Sequence, residues 1–251
     1  MKSLVLLPSF DSGRQLVSSL TAAKKEWPDV WTVIDGSTDG SDCAAESVPG
    51  IRMFRLTKNS GKGAAVLHGF AAARSEGFTH ALVMDSDGQH PPELIKKIMH
   101  QCEKNPSALL CGQPVFGSDA PTLRVLGRRL ANFFSRLETL GRGPADSLCG
   151  FRLYPIAHTL AALENTRTGR GFDFETVAGT RLAWAGTPCL NFPVPIRYPS
   201  RSEGGVSHFR YLRDNLLLTR VHAALLSEAP HHLKKLNSKV ATFEPRLGHA
   251  T

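Results

Sequence analysis

The sequence lacks any Cys-x-x-Cys pair. Its five cysteines, Cys43, Cys102, Cys111, Cys149 and Cys189, are scattered and odd in number. That excludes a disulfide framework and a zinc site built from paired thiols. Unpaired thiols in this number fit a reducing cytosol. Long apolar runs are also lacking. The run Leu4–Leu7 ends at Pro8, too short for a signal-peptide core or a membrane span. No other stretch reaches the required length, so a spanning segment is not expected. The expected location is cytoplasmic, with a peripheral seat on the inner face of the cytoplasmic membrane as the alternative. No internal repeat and no low-complexity segment occurs.

What is present is a chain of 251 residues with 41% apolar and 21% charged residues. That is enough apolar material for the core of one α/β domain, and a composition unlike that of disordered chains. The formal net charge is +8, which invites anionic partners such as nucleotides, phosphorylated substrates or acidic lipid. No RNA-binding signature or run of stacking aromatics accompanies it, so nucleic acid is not an expected partner.

Short apolar runs alternate with helical spacing through the first half. Leu4–Leu7, Val30–Ile34, Ile51–Leu56, Ala81–Met84 and Ala108–Cys111 read as buried strands, and Leu16–Lys25, Gly63–Ala73 and Glu93–Cys102 as helices. Alternation of this kind predicts a mostly parallel sheet with helices on both faces. Ligands of such sheets bind at the carboxyl ends of the strands. Three polar clusters fall there: Pro8-Ser-Phe10-Asp11, Asp35-Gly36-Ser37-Thr-Asp39 and Asp85-Ser86-Asp87-Gly-Gln89.

The second half changes character. Residues 121–142 predict a helix with five arginines, Arg124, Arg128, Arg129, Arg136 and Arg142, broken by Pro144-Ala-Asp146. A further helix is expected over Asp173–Ala185. Leu190–Tyr198 reads as an edge strand because of Pro193 and Pro195. A polar loop follows at 199–208. Tyr211–Ser227 predicts an amphipathic helix, and the last 20 residues or so a basic tail. The expected division is a catalytic domain over 1–210 and a helix with tail over 211–251. From residue 200 onward there are eight Lys/Arg against four Asp/Glu. A basic amphipathic helix suits an anionic membrane; packing on the core is the competing reading.

The acidic loop carries the chemistry. Asp85 and Asp87 lie two apart on extended chain and face the same way, with the Gln89 amide two further on. Hard cations such as Mg²⁺ or Mn²⁺ prefer such oxygen ligands and complete their shell with waters and substrate phosphates. An Asp-Gly turn capping the next helix is the plainer alternative.

The run Asp85-Ser-Asp-Gly-Gln-His-Pro-Pro-Glu93 resembles the metal-binding signature of dolichyl-phosphate mannose synthase-like enzymes. These belong to the family 2 glycosyltransferases, whose fold is GT-A. Further segments resemble the same family in order. Pro8 to Ser12 is similar to its nucleoside-site segment, with Ser12 at the usual Glu. Ile34 to Ser41 is similar to its Val-Asp-Asp-Gly-Ser-Thr-Asp-Gly, with Ile34 at the first Asp. Asn59-Ser-Gly-Lys62-Gly-Ala resembles a donor-side loop and is not a Walker A loop. Asp146 to Arg152 resembles the segment beside acceptor and donor phosphates. Arg201 to His208 resembles a phosphate-contacting Arg-x-x-Gly-x-Ser-Lys loop, with His208 at the Lys.

The resemblance implies a metal-dependent, inverting transferase that moves a sugar from a nucleotide diphosphate-sugar to a lipid-phosphate or hydroxyl acceptor. Asp85, Asp87 and Gln89 would hold Mg²⁺ or Mn²⁺. Pro8, Phe10, Asp11, Asp35, Gly36, Ser37, Lys62, Asp85, Ser86 and Asp87 would line the donor site. Asp146, Asp173, Glu175 and Arg201 are the catalytic candidates. Structural readings stand beside several of these, an ion pair for Asp146 and a helix start for Asp173 and Glu175. Two rival functions stay open: a sugar-1-phosphate nucleotidyltransferase, and a non-catalytic nucleotide-sugar-binding module.

Overall fold

The computed structural model describes residues 1–116, 122–166, 168–196 and 211–240. Seven strands form one sheet in the order β3-β2-β1-β4-β6-β5-β7. The first five, β1 (Ser3–Ser9), β2 (Val30–Asp35), β3 (Arg52–Leu56), β4 (His80–Val83) and β5 (Leu109–Val115), fall where the apolar runs predict them. β1, β2, β3 and β4 run parallel to one another. Chain order reverses at β1, which lies between β2 and β4. A crevice opens beyond the strand ends at such a reversal, and the three polar clusters meet there.

The helices cover both faces. α1 (Gly13–Glu26), α3 (Lys62–Ser75) and α4 (Ile95–Lys104) match the periodic segments. α4 buries Ile95, Ile98, Met99 and Cys102 at the i, i+3, i+4, i+7 spacing that puts one stripe on the sheet. Its entry is a 3₁₀ turn over Pro92–Leu94, where proline loses no intrahelical bond. A short α2 (Ser41–Ala45) follows the Asp35 loop.

Besides α2, two elements escape the sequence reading. β6 (Arg152–Pro155) enters antiparallel between β4 and β5, and α6 (Ile156–Leu163) follows it. β6 has only four residues, begins with arginine and ends with proline, so it shows no strand pattern. Its Arg152 is fully buried and donates to the backbone carbonyls of Glu175 at 2.6 Å and Asp146 at 2.8 Å. Those bonds tie β6 to the segments on either side of the cleft. β7 (Cys189–Pro195) pairs parallel with β5 at the sheet edge, where prolines leave no central ladder bond unmade.

The arginine-rich segment forms α5 (Thr122–Thr139), and α7 (Phe174–Trp184) is almost entirely buried. The last helix is longer than predicted. α8 runs from Tyr211 to Val240 and passes through Pro230, so the first part of the expected tail is helical. Leu218, Val221, Leu225 and Ala229 repeat every three or four residues and are buried, and Leu233 packs partly against the same cluster. This stripe carries the helix onward. Three of these residues share a core with Leu4, Val83 and Val177. The expected domain boundary at 210 lies outside the described residues. Among the described residues no helix is long and apolar enough to cross a membrane.

Candidate active site

The acidic loop leaves β4 at the crevice, and α3 begins beside it. The ammonium of Lys62, the first residue of α3, lies 2.5 Å from Asp85 Oδ1 and 2.6 Å from Glu175 Oε1. One cation thus bridges the loop after β4 and the first turn of α7. Burial disfavours the charged ammonium, but the two carboxylates outweigh it and raise the Lys62 pKa. Burial likewise opposes the Asp85 carboxylate, and Lys62 with its neighbours still holds it below the ordinary range.

Asp87 has the opposite fate. Burial, and then the negative charge of Asp85, push its carboxyl up to about 7. Its Oδ1 accepts the Gln89 N–H at 3.0 Å. Close approach is built in on the far side: a Cβ at Gly150 would collide with the Asp85 carboxylate. The cleft itself is lined by Asp85, Gln89, His90, Arg128, Cys149 and Gly150 among others. Two mutually repelling carboxylates and one amide oxygen suit a hard divalent cation that keeps waters and substrate phosphates as further ligands. No group of three or more His, Cys, Asp or Glu that could hold a metal ion by itself occurs among the described residues.

His90, inside the Asp85–Glu93 run, and Arg128, one of the arginines of α5, join the site although the sequence reading assigns no role to either. His90 stacks on Phe151 with ring centroids 5.1 Å apart. Its Nδ1 accepts the Asp85 N–H at 3.2 Å. Burial lowers its pKa to about 4, so the ring is neutral and fixes the loop. Arg128 reaches from α5 to Asp146 Oδ1 at 2.7 Å and lies over the Phe116 ring at 5.5 Å.

The donor-side loops are clasped to one another by backbone bonds. Asp35 Oδ1 accepts the Ser60 N–H at 2.8 Å and Oδ2 the Gly61 N–H at 2.7 Å. Gly36 has φ +68°, and a Cβ there would strike the backbone of Lys58 and Asn59. Asp11 donates its N–H to Ser37 Oγ at 3.0 Å and accepts the Thr38 N–H at 2.7 Å. Ser12, at the usual glutamate position, belongs to a buried hydroxyl chain with Ser9 and Ser86. Ser86 also donates to the Pro8 carbonyl at 3.2 Å. Pro8 and Ser86 are buried, so these two donor-site candidates hold β1 against the acidic loop. Phe10, Asp11, Gly36 and Ser37 stay partly open at the crevice.

The catalytic candidates part company. Asp146 is buried, and its carboxylate accepts from Arg128, from Asn132 Nδ2 at 3.1 Å and from the Leu148 N–H at 3.0 Å. Asp173 accepts the Gly169 and Gly171 N–H groups at 2.7 and 3.0 Å. The turn it shapes receives the Gly63 and Ala64 N–H groups at the start of α3, so Asp173 positions Lys62 indirectly. Glu175 alone of the three meets the Lys62–Asp85 pair. Arg201 and His208 lie outside the described residues.

Comparison with known proteins fits this geometry. The family model for glycosyl transferase family 2 matches residues 5–158. Undecaprenyl-phosphate mannosyltransferase of Micrococcus luteus is 26% identical over 214 residues, covering 81% of this chain and 86% of that protein. Polyprenol monophosphomannose synthase of Mycolicibacterium smegmatis is 26% identical over 163 residues, 61% of each chain. Among solved structures, a mycobacterial protein aligns over 90% of this chain and 73% of its own with TM-score 0.64 and 16% identity. TarS 1–349 of S. aureus in complex with UDP-GlcNAc aligns over 91% and 67% with TM-score 0.57 and 17% identity. These structural likenesses bear on the fold, which is the GT-A fold that the resemblance implied. The chain belongs to glycosyl transferase family 2 and is a glycosyltransferase.

Proposed function

We propose that the enzyme transfers a sugar from a nucleotide diphosphate-sugar to a polyprenyl phosphate, with inversion at the anomeric carbon. The observation that carries this reading is the Lys62 bridge between Asp85 and Glu175. It places a fixed positive charge beside the acidic loop at the crevice where α/β sheets bind nucleotides. The names of the two bacterial relatives, both lipid-phosphate mannosyltransferases, point to the acceptor class.

The carboxylates support an acceptor that is already an anion. Asp146 and Asp173 each spend both oxygens on fixed donors, and Glu175 is paired with Lys62. A hydroxyl acceptor requires a base with a lone pair free to take its proton; a phosphate oxygen does not. On this reading Asp85, Asp87 and Gln89 hold Mg²⁺ or Mn²⁺, and Phe10, Asp11, Gly36 and Ser37 border the nucleoside. When bound, the ion supplies charge neutralisation to the departing diphosphate. Lys62 adds an oriented charge that needs no reorganisation as the leaving group develops.

The test is transfer of radiolabelled sugar from a panel of nucleotide sugars to undecaprenyl phosphate in detergent, with Mn²⁺, Mg²⁺ or EDTA. An alkali-stable, mild-acid-labile lipid product, absent with EDTA and with Asp87→Ala, is the expected outcome. Transfer only to hydroxyl acceptors would sink the phosphate reading. Release of a nucleotide sugar from a sugar-1-phosphate and a nucleoside triphosphate would instead point to nucleotidyl transfer.

A further inference from the structure

Ten large apolar side chains are exposed among the described residues, and seven of them sit on or beside two helices that pack together, α5 and α8. On α5 they are Leu126, Leu130, Phe133 and Leu137, with Leu140 one residue past its end. Each is between 48% and 63% exposed. Their 4-3-4-3 spacing gathers them into an arc of about 80° at 100° per residue. The opposite side of α5 is already spent on the protein: Ala131, Ser135, Glu138 and Thr139 are buried. The helix is therefore apolar outward. A contiguous exposed stripe of this kind marks an interaction surface.

Charge decides what covers it. Arg129 and Arg136 are exposed along one flank of the stripe, Arg142 lies just beyond it, and Arg220 is exposed on the neighbouring turn of α8 beside Leu216 and Leu217. The only acidic residue of α5, Glu138, is buried and bonded to His222 at 2.6 Å. A second copy of the same face would thus bring arginines to arginines with no carboxylate on α5 to answer them. An anionic lipid surface offers both what the stripe lacks: hydrocarbon for the leucines and negative headgroups for the arginines.

We propose that the exposed face of α5, continued by Leu216 and Leu217 of α8, docks the enzyme on the surface of an anionic membrane. The same helix sends Arg128 into the cleft. Docking on this face therefore sets the cleft at a fixed height above the lipid in which a polyprenyl phosphate is anchored. This extends the polyprenyl-phosphate reading, but the docking itself needs neither donor nor acceptor.

The experiment is co-sedimentation of the full chain with sucrose-loaded vesicles of phosphatidylcholine, alone or mixed with phosphatidylglycerol, without substrates. The expected result is binding to the mixed vesicles that weakens with salt. Partition falls more than about tenfold in Leu130→Glu/Phe133→Glu and in Arg129→Gln/Arg136→Gln. Both double variants alter exposed positions, and their thermal midpoints and their transfer to detergent-dispersed acceptor stay as in the wild type. Wild-type protein that ignores mixed vesicles overturns the proposal, as does binding that survives both double variants. A wild-type dimer in sedimentation equilibrium that L130E/F133E disperses overturns it in favour of a second copy. Failure of the transfer assay with intact vesicle binding would remove the acceptor reading and leave the docking face standing.

Discussion

Lys62 Nζ stands 2.5 Å from Asp85 Oδ1 and 2.6 Å from Glu175 Oε1, so three motifs remote in sequence share one charge. Removing that charge leaves two carboxylates side by side in a largely buried place. Breaking a buried pair costs about 3–5 kcal/mol, and Asp85 is open enough to put this case at the low end. Lys62→Met is expected to lower the urea midpoint and to reduce kcat by about a hundredfold or more. The double variant Lys62→Met/Glu175→Gln recovers part of the stability and none of the rate. Recovery of both would show that Lys62 only neutralises Glu175.

Gly36 supplies a second prediction through its contrast with Gly40. Both have positive φ, +68° and +76°, but a Cβ at Gly36 meets the backbone of Lys58 and Asn59 whereas one at Gly40 meets nothing within 4 Å. Gly40→Ala carries the conformational penalty alone, about 1–2 kcal/mol. Gly36→Ala adds a displacement of the 58–61 loop that Asp35 holds. It is expected to lose more stability than Gly40→Ala, and also donor affinity, as read by thermal shift with nucleotide sugars. Equal losses in the two variants would refute the close approach.

The contrast also shows what a sequence discloses. Strands β1 to β5 are legible because each is a short apolar run between turn residues, and the acidic loop because Asp85, Asp87 and Gln89 are neighbours in the chain. β6 is not legible, since burial of Arg152 is made tolerable by the backbone carbonyl of Glu175, remote in sequence, together with that of Asp146 just before the strand. Nor is the partnership of Lys62 with Glu175, or of Arg128 with Asp146. Long-range pairs leave no local period. Asp35 illustrates the reverse case. Its position after a strand suggests a ligand contact, while the structure gives both of its oxygens to backbone donors.

His80 gives a pH dependence of stability. The ring is buried at the start of β4, with Nε2 2.7 Å from the Pro106 carbonyl. Burial lowers its pKa, and the carbonyl offsets only part of that. The native ring thus binds a proton less readily than the unfolded one. Its contribution is fully present above the unfolded value of about 6.5 and is lost as pH falls through the lower folded value. Urea midpoints measured from pH 7 to pH 5 are expected to fall more steeply for the wild type than for His80→Gln. Parallel profiles would mean that His80 does not contribute to the acid limb.

Asp146 separates a positioning role from a catalytic one. Its carboxylate accepts from Arg128, Asn132 and the Leu148 N–H, and its own backbone carbonyl receives Arg152. A base must offer a lone pair to the acceptor, and this one already holds three donors. Asp146→Asn keeps an oxygen for Arg128 and Leu148 but turns an amide donor toward Asn132. The expected cost is about 1–3 kcal/mol of stability for the unmatched buried donor. Its kcat, measured on protein shown to be folded, stays within about tenfold of the wild type, because proton transfer at this position would carry about 10²–10⁴-fold. A larger fall in kcat with an unchanged unfolding midpoint would make Asp146 the base, and a hydroxyl the acceptor.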